Sequence, residues 1–190
     1  MNRKVILASK SPRRKQLLEQ IEINFEVRES GYEEDMTIEK DPYELAKILA
    51  LKKAQDVACY YNNEIIVAAD TFVICDNDFL GKPKNEEEAR QMLKRLSGRE
   101  HKVITGFAII DTRQNKVIND FGEAIVKFWP LSDKQIDDYI ATGEPLDKAG
   151  SYGVQKLGAV LIESIKGDYY SVVGLPIGKI YYILREMDIY

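Results

Sequence analysis

The sequence predicts a mixed α/β protein built on a curved mixed β-sheet with helices around it. Short runs rich in β-branched and aromatic residues alternate with segments of helical periodicity, and no repeat or low-complexity tract interrupts them. A chain of 190 residues is long enough to bury a substantial core without disulfides. We therefore expect residues 1–190 to form a single domain, with two small lobes that share a cleft as the alternative arrangement.

Eight segments have the composition of β-strands, and turn residues separate them. They are residues 4–8, 25–28, 65–69, 71–75, 103–110, 117–128, 159–165 and 169–173. We interpret Asp70 as a polar break between the third and fourth strands. The polar turn at residues 113–115 indicates an antiparallel hairpin, and a second turn is expected at Gly167-Asp168.

Five helices are predicted from capping residues and from proline at the first helical position. Ser11 and Asp41 precede Pro12 and Pro42, and Asn85 is in the same position before an acidic first turn. The predicted helices cover residues 12–20, 42–60, 86–97, 132–142 and 176–186. Strands and helices in this order are typical of the α/β class.

Composition excludes several classes of protein. The formal net charge of −4 argues against a general nucleic-acid binder, because such proteins carry a basic face that displaces counterions from phosphate. No apolar stretch reaches the length of a signal-peptide core or a membrane span, so we expect a cytoplasmic protein with no membrane partner. Cys59 and Cys75 have apolar neighbours in the sequence and are interpreted as buried, reduced thiols.

The segment Ser9-Lys10-Ser11-Pro12-Arg13-Arg14 joins the first predicted strand to the first predicted helix. Backbone N–H groups and the positive end of a helix dipole favour an anion at such a junction, and arginines can bind phosphate oxygens bidentately. A capped surface helix with solvated arginines explains the same residues. The glycine patterns of P-loops and dinucleotide folds are missing from this segment. It is a candidate phosphate site.

Asp70 interrupts an apolar run in Ala68-Ala69-Asp70-Thr71. A carboxylate is costly to bury unless it is paired, hydrogen-bonded or bound to a metal, so Asp70 is a candidate metal ligand or base. A turn-capping aspartate between two strands is the alternative. Further along the chain, Gly81-Lys82-Pro83 places a lysine on a constrained turn.

Lys53 lies on the apolar face of the second predicted helix, at helical spacing from Ala46, Leu49, Ala50 and Val57. An amine on that face favours an anionic partner, although a lysine whose stem lies along the edge of the face gives the same pattern. The acidic run Glu33-Glu34-Asp35 is explained most simply as a solvated loop.

The glycine-bracketed segment Gly150-Ser151-Tyr152-Gly153-Val154-Gln155 precedes a predicted strand. The amide of Gln155 can donate and accept hydrogen bonds at a nucleobase edge, but glycine-rich loops are frequent and this pattern alone is weak. His101 is the sole histidine and has no identifiable triad partner, so a histidine-dependent hydrolase is not expected.

Taken together, these motifs resemble the Maf family of nucleotide pyrophosphatases. The resemblance covers essentially the whole chain, with the motifs in family order. It rests on Leu7-Ala8-Ser9-x-Ser11-Pro12-Arg13-Arg14, Ala69-Asp70-Thr71, Gly81-Lys82-Pro83, Leu146-Asp147-Lys148-Ala149-Gly150-x-Tyr152-Gly153-x-Gln155 and Gly167-Asp168-Tyr169-Tyr170-x-Val172-Val173-Gly174-Leu175-Pro176.

The resemblance implies a fold, a reaction and a set of site residues. The implied fold is an elongated mixed sheet with two lobes around a deep cleft, often as a homodimer. The implied reaction is hydrolysis of a nucleoside triphosphate between the α- and β-phosphates with a divalent metal, Mg²⁺ or Mn²⁺. Glu34 and Asp70 would hold the metal, and Asp70 would also act as the base for water. The residues that would bind the triphosphate are Ser9, Arg13, Arg14, Lys53 and Lys82.

Within the family, Arg13, Thr71 and Gln155 resemble the determinants of the branch that prefers dTTP and UTP over methylated guanine nucleotides. The chain departs from the family pattern at the next position. The family's usual Gln-Gly is Gln155-Lys156 here, and a side chain at that position is expected to affect loop shape or substrate preference.

Two other functions remain as alternatives at this point. A nucleotide-binding regulator of cell division or septum formation would use the same residues with little turnover. A nucleotidyltransferase with a phosphate loop would need a second substrate, and the absence of glycine between Leu7 and Arg14 argues against it.

Overall fold

The computed structural model describes residues 3–76 and 78–189, and the mixed α/β class predicted from the sequence is confirmed within them. The strands are β1 (Val5–Leu7), β2 (Phe25–Val27), β3 (Ile65–Cys75), β4 (Asp78–Leu80), β5 (Glu100–Asp111), β6 (Lys116–Phe128) and β7 (Ile162–Gly167). The α-helices are α1 (Pro12–Gln20), α2 (Pro42–Ala58), α3 (Glu86–Leu96), α4 (Asp133–Ile140), α5 (Tyr169–Val173) and α6 (Ile177–Glu186). Short 3₁₀ turns cover Glu144–Asp147, Ala149–Ser151 and Lys156–Leu161.

The strands form one mixed sheet in the order β2-β1-β3-β5-β6-β7, with β4 paired to β3. β1 is parallel to both of its neighbours, whereas β4 is antiparallel to β3 and β7 is antiparallel to β6. The apolar run of β1 is fully buried, as is typical of a central parallel strand. β5 and β6 are neighbours joined only by residues 112–115, too short a connection for a parallel crossover, so they form the predicted hairpin.

The described residues divide into two compact units. The first contains residues 3–70, 105–122 and 174–189, and the second contains residues 71–76, 78–104 and 123–173. The core of the first unit includes Ile6, Ala8, Ala50, Ala54, Val57, Ile66, Ala68, Ala108 and Ile110. The core of the second includes Leu80, Leu93, Leu96, Val126, Phe128, Ile136, Tyr139 and Tyr152. The assignment of residues 1–190 to a single domain stays a prediction.

Two of the three predicted capping residues, Asp41 and Asn85, cap their helices. The side chain of Asp41 accepts hydrogen bonds from the N–H groups of Tyr43 and Glu44, and Asn85 caps α3 in the same way. Ser132 and Gln135 form a reciprocal capping box at the start of α4. The capping role predicted for Ser11 is wrong, since its side chain makes no cap hydrogen bond.

Two predicted strand assignments are also wrong. Asp70 does not break a strand, because β3 runs through it without interruption. Residues 169–173 form the helix α5, and Asp168 explains why: its carboxylate accepts from the Tyr170 N–H at 3.0 Å and from the Ser171 hydroxyl at 2.6 Å.

The expectation of two buried thiols holds for Cys75 only. Cys59 is exposed just after the end of α2, where its Sγ lies 3.1 Å from the carbonyl oxygen of Asp56. Both cysteines are free thiols. In the described part of the chain, no helix combines the length and the apolar character that a membrane crossing requires.

Helix α2 packs unusually closely against β5 in the first unit. A Cβ atom on Gly106 would overlap the backbone carbonyl of Ala46, so the strand backbone and the helix backbone are in direct contact. Only glycine leaves room for this approach. The contact fixes the helix that carries Lys53.

Candidate active site

Asp70 lies on β3, after five residues of that strand that are all fully buried. Its side chain is only 9% exposed. Oδ1 accepts a hydrogen bond from Nζ of Lys53 at 2.9 Å, whereas Oδ2 is buried and has no hydrogen-bond partner among the described residues. A buried acceptor of this kind is costly unless a ligand or water satisfies it, so Oδ2 marks a site for a further group.

Lys53 brings the carboxylates of Asp70 and Glu34 together. Its Nζ donates to Oε1 of Glu34 at 2.6 Å and to Oδ1 of Asp70 at 2.9 Å, and its side chain is 11% exposed. The helical spacing that predicted an anionic partner for Lys53 is therefore supported. The anions that it contacts in this structure are protein carboxylates.

The ionisation of Asp70 depends on both burial and neighbouring charges. Burial is the largest influence and raises the pKa of Asp70 above its ordinary value, and the negative charge of Glu34 acts in the same direction. Lys53 and Arg14 lower the pKa of Asp70 through their positive charges. Asp70 is thus a desolvated carboxyl group whose pKa is raised overall, and the adjacent cations offset part of the effect of burial.

The loop that carries Glu34 is anchored to α2 by Asp56, a role that the sequence did not indicate. Oδ2 of Asp56 accepts from the Ser30 hydroxyl at 2.9 Å and from the Gly31 N–H at 2.7 Å. Asp56 follows Lys53 by three residues, so both side chains project from neighbouring positions on one helix surface. Asp56 itself is half-buried.

Ser9 organises the junction between β1 and α1. Its Oγ accepts from the Ser11 N–H at 3.2 Å and from a guanidinium nitrogen of Arg14 at 3.1 Å. A second nitrogen of Arg14 donates to the carbonyl oxygen of Gly174 at 2.8 Å. Gly174 belongs to the closing motif of the sequence, so this contact explains how a distant segment fixes the position of Arg14.

Arg14 also interacts electrostatically with the carboxylate site. Burial lowers the pKa of the Arg14 guanidinium, and the charge of Asp70 opposes that effect. Arg13, half-buried beside it on α1, adds a second positive charge that lowers the pKa of Arg14 further. The first unit therefore combines two carboxylates with several cationic groups.

Three predicted site residues belong to the second unit. Thr71 is half-buried and follows Asp70 directly on β3, so its side chain projects from the opposite face of the strand. Lys82 is exposed and comes two residues after β4. Gln155 is half-buried and immediately precedes the 3₁₀ turn Lys156–Leu161.

The loop that carries Gln155 is closed by contacts that sequence reasoning missed. The Tyr139 hydroxyl accepts from the Gly153 N–H at 3.2 Å and donates to Oε1 of Glu144 at 3.2 Å. The Gly158 N–H also points to Oε1 of Glu144, at 3.4 Å. Both ends of the loop are therefore attached to the α4 region. Lys156, within it, has a left-handed backbone with φ of 54°.

His101 has a structural environment. It is buried, its Nε2 lies 2.7 Å from the Tyr152 hydroxyl, and its ring packs edge-on against Phe128. Burial lowers the pKa of His101 to about 4, so the ring is neutral near pH 7. Residues 3–76 and 78–189 contain no cluster of three or more His, Cys, Asp or Glu side chains suited to a metal ion.

Comparison with known families gives this arrangement a context. Residues 4–187 match the family described as Maf-like protein. The chain belongs to the Maf family. The match spans every motif that carried the resemblance in the sequence.

Curated relatives of this Maf chain share nearly half of its residues. A protein named dTTP/UTP pyrophosphatase from Bacillus mycoides is 47% identical over 186 residues, which is 98% of this chain and 96% of the relative. Proteins of the same name from Clostridioides difficile and Dictyoglomus turgidum are 46% and 47% identical, covering 96% and 98% of this chain and 94% and 97% of the relatives.

The fold of the Maf chain is also found in a solved structure of low sequence similarity. A HAM1 protein from Coxiella burnetii superposes with a TM-score of 0.54 and 15% identity, and the match covers 97% of this chain and 99% of that one. At this identity the similarity concerns the fold alone.

Proposed function

We propose that this chain is a nucleoside triphosphate pyrophosphatase that hydrolyses dTTP and UTP to the nucleoside monophosphate and pyrophosphate. The observation that carries the proposal is the buried carboxylate of Asp70, which has one unpartnered oxygen and lies beside Lys53, Glu34 and the charge of Arg14. The names of relatives at 46–47% identity over nearly the full chain support the substrate and the reaction.

The carboxylates suit a divalent cation, Mg²⁺ or Mn²⁺, in two respects. Glu34 and Asp70 converge on one point, which Lys53 Nζ occupies, and Oδ2 of Asp70 is an available acceptor. Mg²⁺ is commonly held by one or two carboxylates together with substrate phosphates, so a third protein ligand is not required. A bound metal would neutralise phosphate charge and lower the pKa of a coordinated water.

The cationic side chains would bind the triphosphate. Arg14 is already oriented by Ser9 and the Gly174 carbonyl, so little side-chain freedom is lost when it contacts a phosphate. In the proposed site Ser9, Arg13, Arg14, Lys53 and Lys82 contact the phosphates and stabilise the charge that builds on the pyrophosphate leaving group.

Asp70 would serve as the base in the reaction. It accepts a proton from the attacking water as the α–β anhydride bond breaks, and pyrophosphate leaves with the bridging oxygen. Its burial favours proton uptake, which suits a group that must accept a proton near neutral pH. No covalent intermediate with the protein is needed.

Arg13, Thr71 and Gln155 are proposed to set the preference for thymine and uracil nucleotides. The amide of Gln155 offers both a donor and an acceptor, as a pyrimidine edge requires. The hydrogen bonds of Tyr139 and Glu144 at the two ends of its loop limit how far Gln155 can move.

The proposal is tested by incubating the purified protein with Mg²⁺ or Mn²⁺ and separate samples of dTTP, UTP, CTP, dATP, GTP and a methylated guanine nucleotide. We expect pyrophosphate and the monophosphate, fastest from dTTP and UTP. Release of orthophosphate would contradict the cleavage position. Nucleotide binding without product would instead support a regulatory binding protein.

The proposed place of action is the cytoplasm, since the proposed substrates are free nucleotides. The homodimer implied by the family resemblance is part of the same proposal. Light scattering coupled to gel filtration gives the molar mass in solution, and a mass near that of one 21.7 kDa chain would contradict the dimer.

A further inference from the structure

The amine of Lys53 lies where a cation shared by Glu34 and Asp70 would lie. We infer that this ammonium is a resident counter-cation that competes with the divalent metal for the two carboxylates, and that metal entry transfers Lys53 to a substrate phosphate. The inference rests on the proposed function for the assignment of Glu34 and Asp70 as metal ligands. Beyond that function, the inference states that metal binding comes before the contact of Lys53 with phosphate, and so couples metal binding to nucleotide binding.

The contacts of Lys53 explain why the carboxylates need a cation when no metal is bound. Asp70 is 9% exposed and Lys53 is 11% exposed, so their 2.9 Å contact is largely shielded from water. Removal of one partner from such a pair leaves an uncompensated buried charge, which is strongly destabilising. Lys53 therefore stabilises the carboxylate site in the absence of metal.

The same contacts hinder a metal that takes both carboxylates as ligands. Mg²⁺ requires oxygen ligands at about 2.0–2.1 Å, whereas the ammonium is 2.6 Å from Glu34 Oε1 and 2.9 Å from Asp70 Oδ1. A metal between these oxygens would occupy the space of the ammonium and repel it. The metal-free site thus has a lower metal affinity than the two carboxylates alone would have.

Charge accounts for the fate of the displaced lysine. Two carboxylates and one ammonium carry a net charge of −1, and a divalent ion at the carboxylates makes the group net positive. The released ammonium then needs a new anionic partner, which the triphosphate supplies. Metal binding releases the ammonium for the triphosphate, and triphosphate binding holds the ammonium away from the carboxylates. Metal and nucleotide should therefore bind with positive coupling.

The first test measures Mn²⁺ binding without nucleotide in the wild type, Lys53→Met and Lys52→Met, by electron paramagnetic resonance or calorimetry. Lys52 is the exposed neighbour on α2 and serves as the matched control. We expect Lys53→Met to lower the Kd for Mn²⁺ on the order of 5- to 150-fold, the range of typical coupling between sites. Lys52→Met should bind as the wild type does. An equal or weaker affinity in folded Lys53→Met would overturn the inference.

The second test uses the wild-type protein, so it does not depend on the folding of a variant. The amine of Lys53 is acylated with an N-hydroxysuccinimide ester at increasing Mg²⁺, and the labelled peptide is quantified by mass spectrometry with Lys52 as the internal reference. We expect Lys53 labelling to rise severalfold relative to Lys52 as the metal binds. Unchanged or reduced labelling would mean that the metal uses Oδ2 of Asp70 while Lys53 stays in place, and would overturn displacement.

Neither measurement contains a nucleotide, so the two proposals can fail separately. Displacement of Lys53 by metal in a protein that produces no pyrophosphate would support this inference and contradict the proposed function. Hydrolysis of dTTP with no Mn²⁺ binding in either the wild type or Lys53→Met would support the proposed reaction and contradict this inference.

Discussion

At the scale of single residues, Asp70 is the clearest feature of the proposed site. The sequence identified it as a carboxylate too costly to bury alone, and the structure supplies its compensation through Lys53. The partner could not be predicted from spacing, because the two residues meet through the packing of a helix and a strand. Its unpartnered Oδ2 likewise has no signature in the sequence.

Replacement of Asp70 by asparagine should retain the fold and lower turnover of dTTP by about 10²–10⁴-fold, the usual effect of removing a positioned acid–base group. Steady-state kinetics at saturating metal, with circular dichroism to verify folding, measures the effect. Asp76→Asn is the control, because that carboxylate is exposed and pairs with Arg95 and Arg99. Near-normal turnover in Asp70→Asn would remove Asp70 from the mechanism.

Lys156 shows that a left-handed backbone is retained where the family resemblance predicts glycine. Its φ of 54° costs a residue with a side chain about 1–2 kcal/mol. Glycine would remove this strain, but its greater conformational freedom in the unfolded chain would cancel part of the stabilisation. Lys156→Gly should therefore raise the free energy of unfolding by about 0.5–1 kcal/mol, measured by urea denaturation. Lys156→Ala keeps the Cβ atom and should give no such gain. Equal stabilisation by both variants would show that the lysine side chain, rather than the backbone, is the cause.

At the scale of elements, helices with explicit capping residues were predicted well and isolated β-rich runs were not. Asp41, Asn85 and Ser132 cap helices that begin where expected. The run Tyr169–Val173 has strand composition but is helical, because Asp168 caps it. That local signal was present in the sequence and was outweighed by the β-branched residues.

Gly106 provides a test of the packing that positions α2. Gly106→Ala should destabilise the protein by about 1–3 kcal/mol or more, because the new Cβ would overlap the Ala46 backbone and force α2 away from β5. Gly178→Ala is the matched control, because beyond its chain neighbours and its own helix backbone no atom of the described residues lies within 4 Å of the position that its Cβ would take. Alanine at this position in helix α6 should stabilise the protein by about 0.5–1 kcal/mol. Thermal and urea unfolding of both variants measures the difference. Equal effects of the two substitutions would contradict close packing at Gly106.

At the scale of the whole molecule, the motifs predicted the class of fold and most of the proposed site, but not its internal connections. Glu34 was explained from sequence as a solvated loop residue and became a site residue only through the family resemblance. The structure links it to Lys53, and Asp56 fixes its loop. Such links join residues that are distant in the chain, so they follow from tertiary packing rather than from local pattern.

Arg3 and Asp111 form a partly buried ion pair in the first unit. The guanidinium of Arg3 donates to both carboxylate oxygens of Asp111, at 2.6 and 2.5 Å, and Asp111 is 2% exposed. Asp111 also accepts the N–H groups of Arg113 and Gln114 at 2.9 and 3.0 Å. The pair connects the residues before β1 with the end of β5, so its loss should affect global unfolding.

The pH dependence of stability should report this pair. The hydrogen bond from Arg3 is the largest cause that lowers the pKa of Asp111, from 3.8 to about 2. Because the folded pKa lies below the unfolded one, the stabilisation is complete above about pH 4 and is lost as the pH falls through about 2. We expect the free energy of unfolding of the wild type to exceed that of Asp111→Asn by about 1–2 kcal/mol near neutral pH. This difference should shrink only below about pH 4. Urea denaturation across that range measures it, with Asp138→Asn as an exposed control expected within about 0.5 kcal/mol of the wild type. A difference that stays constant down to about pH 2 would show that Asp111 acts through packing rather than through its charge.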